Sequence, residues 1–162
     1  MKDPFGDPET LIRLVYAYVA YRIGPGPDAE DITSATVERG LQYRARFDAS
    51  KGSPAAWLVG IARRQISDHF AAAPLVAEPP EHASSSELDT DVAMRLDLRA
   101  AVARLGERDR ELVALRYGAD LTARQIGAIV GLQTNAVEVA LHRALHALRE
   151  ILEQPPVGVK TD

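Results

Sequence analysis

The sequence predicts an all-α protein of two small helical modules joined by a flexible acidic linker. Three observations carry that expectation. Apolar residues recur at the i, i+3, i+4, i+7 spacing of amphipathic helices in each patterned stretch, with Gly- and Pro-containing loops between them. Residues 71–94 change character: they hold Pro74, Pro79, Pro80, the run Ser84-Ser85-Ser86, five acids and no Lys or Arg. Finally, Leu121 to Arg149 reads as two short helices joined by a tight turn. The boundaries that follow are 1–70 for a first module, 71–94 for the linker, 95–153 for a second module and 154–162 for a loose tail.

In the first module, Leu11, Leu14, Val15 and Tyr18 mark a helix that runs out at Gly24-Pro25-Gly26-Pro27. Asp28 precedes a second helix. Glu30 and Asp31 lie in its first turn, where the helix dipole favours anions, Ile32, Val37 and Leu41 are its apolar anchors, and it continues to about Arg46. Asp48, Ser50, Lys51 and Gly52 give the next stretch a loop composition. Ser53-Pro54 then supplies an N-cap and a proline at the first helical position. The third helix, to about Phe70, has Leu58, Ile61, Ala62, Gln65 and His69 on one side and Gly60, Arg63, Arg64 and Ser67 on the other. Trp57 borders the arginines. Arginines beside an aromatic suit a nucleic-acid backbone and an unpaired base, although a solvated polar face with Trp57 in the core fits the same residues.

Helical pattern resumes around Val92, with Leu98, Val102 and Leu105 as its apolar stripe before Gly106. Another helix, from about Arg108 to Tyr117, turns Leu112 and Leu115 inward and ends at Gly118. Thr122 and Gln125 have the form of a capping box, and Ile126, Ile129 and Val130 give the helix after them one buried face. Gly131 stops it by taking the left-handed conformation. In the last helix Val137, Leu141, Ala144, Leu148 and Leu152 face inward, which leaves Asn135, Glu138, Val139, His142, Arg143, His146 and Arg149 toward solvent or a ligand. That is a helix-turn-helix, whose second helix can enter a DNA major groove. Two helices at an angle are also ordinary packing, so context has to decide.

Composition narrows the function classes. No run is long and apolar enough to cross a bilayer, and the acidic, proline-containing start does not resemble a signal peptide, so a cytoplasmic protein is expected. The absence of cysteine excludes disulfides, thiolate zinc sites and iron–sulfur clusters. A net charge of −4 argues at first against nucleic acid, but the acidity is concentrated in residues 71–94, and residues 95–152 are mildly basic. Glu138, His142 and His146 follow one another at i+4 spacing and could face one metal ion, yet they lack the adjacent general base of a helix-borne zinc protease. No phosphate loop, nucleophile elbow or dinucleotide fingerprint is present, so neither catalysis, a metal nor a cofactor is expected.

Two stretches in this order resemble one family. DAEDITSATVERGLQYRARFDASKGSPAAWLVGIARRQISDHF, from Asp28 to Phe70, is similar to region 2 of the extracytoplasmic-function sigma factors of bacterial RNA polymerase. LGERDRELVALRYGADLTARQIGAIVGLQTNAVEVALHRALHALRE, from Leu105 to Glu150, resembles their region 4. The resemblance implies a non-catalytic subunit that binds core polymerase, recognises the minus-ten and minus-thirty-five promoter elements and helps to open the DNA. It places Asp28, Asp31 and Glu38 at the polymerase contact, with Ser34-Ala35 where the family usually carries Gln-Glu. It assigns the loop Asp48 to Ser53, including Lys51 and Ser53, to capture of a flipped minus-ten base, and Trp57, Arg63 and Arg64 to the DNA beside it. On the last helix it implies duplex reading by Asn135, Glu138, Val139, His142, Arg143 and His146, with Glu138-Val139-Ala140 where many members have a Lys-Ser-Arg type run. An anti-sigma factor is a further partner that the resemblance implies. A free-standing helix-turn-helix regulator accounts equally well for residues 95–152 and leaves Asp28 to Phe70 unexplained.

Overall fold

A computed structural model describes residues 3–72 and 90–154. The helices are α1 (Pro8–Ile23), α2 (Pro27–Gln42), α3 (Pro54–Ala72), α4 (Thr90–Ala103), α5 (Glu107–Val113), α6 (Ala123–Val130) and α7 (Thr134–Glu153). A 3-10 turn at Arg44–Arg46 follows α2, and a π-helical turn at Ala114–Gly118 continues α5. Helices α1–α3 form the first module and α4–α7 the second. The expected linker falls mostly outside the described residues, except that α4 already begins at Thr90. The tail beyond Gln154 also lies outside them.

Local chemistry sets the helix ends. The Asp7 side chain accepts the Thr10 N–H at the start of α1, and Ser53 Oγ accepts the Ala56 N–H at the start of α3, 3.1 Å away. At α6 the capping box is complete: the Thr122 N–H donates to Gln125 Oε1 at 2.9 Å, and the Gln125 N–H donates to Thr122 Oγ1 at 3.2 Å. Gly131 ends α6 with φ 77°, a left-handed conformation that costs a side-chain-bearing residue about 1–2 kcal/mol. Between α4 and α5, the Arg110 guanidinium donates to the carbonyls of Ala103 and Leu105, which satisfies acceptors that the end of α4 leaves open.

One core crosses both modules. Val15, Tyr18 and Val19 of α1, Ala29 and Ile32 of α2, and Leu58, Val59, Ala62 and Ile66 of α3 join Leu112 and Leu115, Leu121, Ile126, Val137 and Leu141. A second cluster packs Ala101, Val102 and Leu105 against Val113, Ala144 and Leu148. Gly118 lets the π-helical turn approach α1: a Cβ there would meet the Tyr18 backbone, with Cα at 2.9 Å and N at 3.0 Å. The modules therefore sit directly against each other.

The helical stripes differ from expectation in four places. Helix α2 ends at Gln42 rather than near Arg46, because the chain tightens into the 3-10 turn. Leu41, expected as an anchor, is 54% exposed, and α2 instead buries Thr33, Thr36 and Gly40; Gly40 lies so close to Leu58 that a larger residue would displace it. Helix α3 buries Val59 and Ile66 besides Leu58 and Ala62, leaving Ile61, Gln65 and His69 half-buried, because it packs on α1 and α2 together. Leu152, in the last turn of α7, is 48% exposed because the helix has outrun its partners there.

Candidate nucleic-acid interface

The helix-turn-helix depends on a close backbone approach. Gly127 has no side chain where the Leu132 carbonyl comes in, and both the Gly131 and Leu132 N–H groups donate to the Gly127 carbonyl, at 2.9 and 3.0 Å. These bonds close a tight turn between α6 and α7. Val137, Leu141, Ala144 and Leu148 are buried, which fixes the rotation of α7. Asn135, Glu138, Val139, His142 and Arg143 consequently line one open concavity of about 400 Å³, and all five are exposed. One carboxylate, one guanidinium, an imidazole, an amide and an apolar group thus share a single surface, a set suited to the donors, acceptors and methyl groups of base edges. His146 lies farther along the same face, with Nε2 3.2 Å from Glu150 Oε1. Among the described residues, no three His, Asp or Glu side chains converge in a way that could hold a metal ion.

The candidate site on the first module is built around the loop after the 3-10 turn. Asp48 Oδ1 accepts the Ser50 N–H at 2.9 Å and the Ser50 hydroxyl at 2.6 Å, so the loop closes on one carboxylate. Those bonds hold the Asp48 carboxyl below its usual range. Lys51 is exposed, and Ser53 is half-buried as the cap of α3. Trp57 is half-buried too: its ring meets Phe47 edge-on at 5.6 Å and Phe5 at 5.8 Å, and Phe5 meets Phe47 at 5.3 Å. Phe5, an isolated aromatic outside any apolar period, carries no signal in the sequence. Arg44 and Arg46, expected inside the second helix, are instead exposed on the turn that leads into this loop, and the Arg46 guanidinium lies 5.0 Å from the Tyr43 ring centre. Asp28, Asp31 and Glu38 are exposed on α2, and their spacing puts them within an arc of about 80° on one helix face.

Arg63 is exposed as expected but engaged. Its Nε donates to Glu111 Oε1 at 2.8 Å and its Nη1 to the Ile129 carbonyl at 3.3 Å. Glu111, 8% exposed, also receives the Tyr18 hydroxyl at 3.0 Å. Arg22 Nε stands 2.6 Å from Glu111 Oε2, off the line of its N–H, so that contact is ionic rather than an aligned hydrogen bond. Burial, with the Glu111 charge beside it, pushes the Tyr18 phenol well above the usual tyrosine range, so it stays a neutral donor. Ser53 has a partner in the other module as well, accepting from Gln125 Nε2 at 3.3 Å. Arg64 lines the same inter-module cleft as Arg22, Arg63 and Arg108, a space of about 1,060 Å³.

The Sigma-70 region 2 family matches residues 9–73, and the Sigma-70 region 4 family matches residues 101–150. The ECF RNA polymerase sigma factor SigF of Caulobacter vibrioides is 33% identical, in an alignment covering 83% of this chain and 76% of SigF. The chain belongs to the ECF sigma factors of RNA polymerase. Another such sigma factor, SigD of Mycobacterium tuberculosis, is 33% identical over 88% of this chain and 73% of its own length. BldN of Streptomyces coelicolor is 31% identical over 85% of this chain, which spans only 56% of BldN.

Among solved structures, the sigma factor RpoE of Bartonella quintana, crystallised with the anti-sigma factor NepR, superposes with a TM-score of 0.68 at 18% identity, covering 88% of this chain and 92% of RpoE. CnrH, in complex with the cytosolic domain of CnrY, gives 0.61 at 21% identity, covering 90% and 82%. These two establish a shared fold. For this sigma factor, the region 2 match accounts for the half that a free-standing helix-turn-helix regulator leaves unexplained. Among its described residues no helix is long and apolar enough to cross a membrane.

Proposed function

We propose that this sigma factor binds core RNA polymerase through the acidic face of α2, captures an unpaired minus-ten base with the loop Asp48–Ser53, and reads the minus-thirty-five duplex with α7. The observation that carries the proposal is the rotation of α7. Its apolar stripe is locked into the core, and Asn135, Glu138, Val139, His142 and Arg143 are left on one open surface. In this reading Glu138 accepts from a base amino group such as cytosine N4, and Arg143 meets phosphate or a base edge. Lys51, Trp57 and Arg64 serve the melted strand. Arg63 joins them once Glu111 releases it. Asp28, Asp31 and Glu38 give the polymerase a carboxylate patch to meet with basic groups.

The factor works in the cytoplasm, beside the polymerase, and leaves the chemistry of RNA synthesis to that enzyme. RpoE of Bartonella quintana, which shares this fold, was crystallised with an anti-sigma factor, and a protein of the same kind is proposed as a partner here. The test is binding of the fluorescently labelled chain to bacterial core polymerase, with an Asp28→Lys, Asp31→Lys, Glu38→Lys triple variant alongside. Tight binding by the wild type and strong weakening in the variant support the reading. Equal binding by both removes α2 as the contact.

A further inference from the structure

Resting on the reading of the loop Asp48–Ser53 as the base-capturing element, we infer that the N-terminal turn Asp3–Gly6 forms the opposite wall of the same pocket and that Phe5 is its positioning residue. A cavity of about 650 Å³ lies between the two segments, lined on one side by Asp3, Pro4 and Asp7 and on the other by Phe47, Gly52 and Pro54. Its size falls within the range of about 300–1,000 Å³ common to small-molecule sites. The loop by itself is only half of this enclosure.

The turn is built to hold its place. Asp3 Oδ1 accepts the Phe5 N–H at 2.9 Å, the Gly6 N–H donates to the Asp3 carbonyl at 3.0 Å, and Asp7 fastens the segment to α1 by capping it. Phe5 then inserts between Phe47, which opens the loop, and Trp57, which lies one helical turn into α3, with both rings met edge-on. Three rings in mutual contact fix one another's tilt more tightly than any pair does. Phe5 thereby sets where Phe47 stands in the wall of the cavity and how Trp57 supports it.

The lining also selects the part of a nucleotide that enters. Among the described residues, the charged side chains on it are the carboxylates of Asp3 and Asp7, which repel phosphate, while the exposed cations Arg44, Arg46 and Lys51 lie on the loop and the turn before it. A strand would run its phosphates along those cations and direct an unpaired base into the pocket. Both carboxylates are hydrogen-bond acceptors only, which favours a base with an exocyclic amino group over thymine.

The test uses holoenzyme assembled from core polymerase and the full chain. Promoters carrying each of the four bases in turn at the non-template minus-ten positions are scored for open-complex formation, with 2-aminopurine as a fluorescent reporter of unstacking. Phe5→Ala should reduce base discrimination at the captured position by about tenfold, the equivalent of one to two lost aromatic contacts, and leave discrimination at the minus-thirty-five element unchanged. Phe5→Tyr, which keeps the ring, should retain it. If Phe5→Ala fails to fold, Phe5→Leu, which keeps the apolar bulk but removes the ring, should show the same selective loss. Wild-type discrimination that survives both Phe5→Ala and Phe5→Leu overturns the inference alone. A wild type that discriminates at no minus-ten position overturns the loop reading on which it rests.

Discussion

Replacing Glu111 with alanine should be among the most destabilising single changes in the molecule, although an acidic residue on a helix is ordinarily replaceable. The residue is 8% exposed, and its carboxylate serves three groups: Arg22 at 2.6 Å, Arg63 at 2.8 Å and the Tyr18 hydroxyl at 3.0 Å. Removing it strands the Arg22 guanidinium, itself 8% exposed, as an uncompensated buried charge. That situation typically costs about 3–5 kcal/mol. Arg63 adds little, since its side chain is 45% exposed and water can take over. Arg22 has a second carboxylate, Glu107, but at 3.7 Å, and that side chain is 84% exposed, too solvated to substitute. At about 2–4 °C per kcal/mol for a chain of this size, Tm should fall by about 6–20 °C. The assay is thermal and urea denaturation followed by circular dichroism. Glu107→Ala, as control, should shift stability by less than about 1 kcal/mol. Because Glu111 joins α1, α3 and α5, the loss should also loosen the contact between modules, detectable as an increased distance between dyes placed on α2 and α7. A Glu111→Ala protein within about 1 kcal/mol of wild type, with an unchanged distance, would mean that this carboxylate neither neutralises Arg22 nor holds the modules together.

Three further outcomes follow from the same geometry. Gly118→Ala places a Cβ against the Tyr18 backbone, which cannot rotate away as a side chain would, so it should cost about 1–3 kcal/mol in the same denaturation assays. On α7, Glu138→Gln should alter base preference at one minus-thirty-five position, whereas Arg143→Ala should weaken binding across sequences; selection from randomised promoters with holoenzyme separates the two, and equal selectivity profiles for wild type and Glu138→Gln would contradict the first. The Asp48 carboxyl, held low by Ser50, contributes loop stability that is fully present above the ordinary aspartate pKa of about 3.9 and is lost only as pH falls through its lowered value. The fluorescence of Trp57, the one tryptophan of the chain, should therefore be flat from neutral pH down to about 5, whereas Asp48→Asn should shift it at neutral pH.

Much of the second module was legible because its signals are local. The Thr122–Gln125 capping box, the left-handed Gly131 and the inward stripe Val137, Leu141, Ala144 and Leu148 each depend on residues within a few positions, and the exposed face of α7 follows from that stripe. The loop Asp48–Ser53 and the cap at Ser53 were legible for the same reason. Glu111 was not: its Tyr18 partner is 93 residues away and Arg63 is 48 away, and a glutamate in a helix reads as solvated until the fold buries it. Phe5 was hidden for a related reason, since an isolated aromatic in a short polar stretch carries no periodicity. Leu41 and Leu152 misled in the opposite direction, because periodicity gives the rotation of a helix but not how far its partners extend along it. Helical periodicity defines each module by itself; the core they share depends on Gly118 meeting α1, a contact with no local signature.

Whether this chain directs RNA polymerase to promoters is decided by run-off transcription with purified core polymerase on a pool of genomic fragments. Discrete transcripts should appear that require the chain and share minus-ten and minus-thirty-five elements, and their dependence on the minus-thirty-five sequence should vanish when Asn135, Glu138 and Arg143 are replaced together by alanine. The contradicting result is no transcript above core polymerase alone, together with tight sequence-specific binding of duplex DNA by the chain without polymerase.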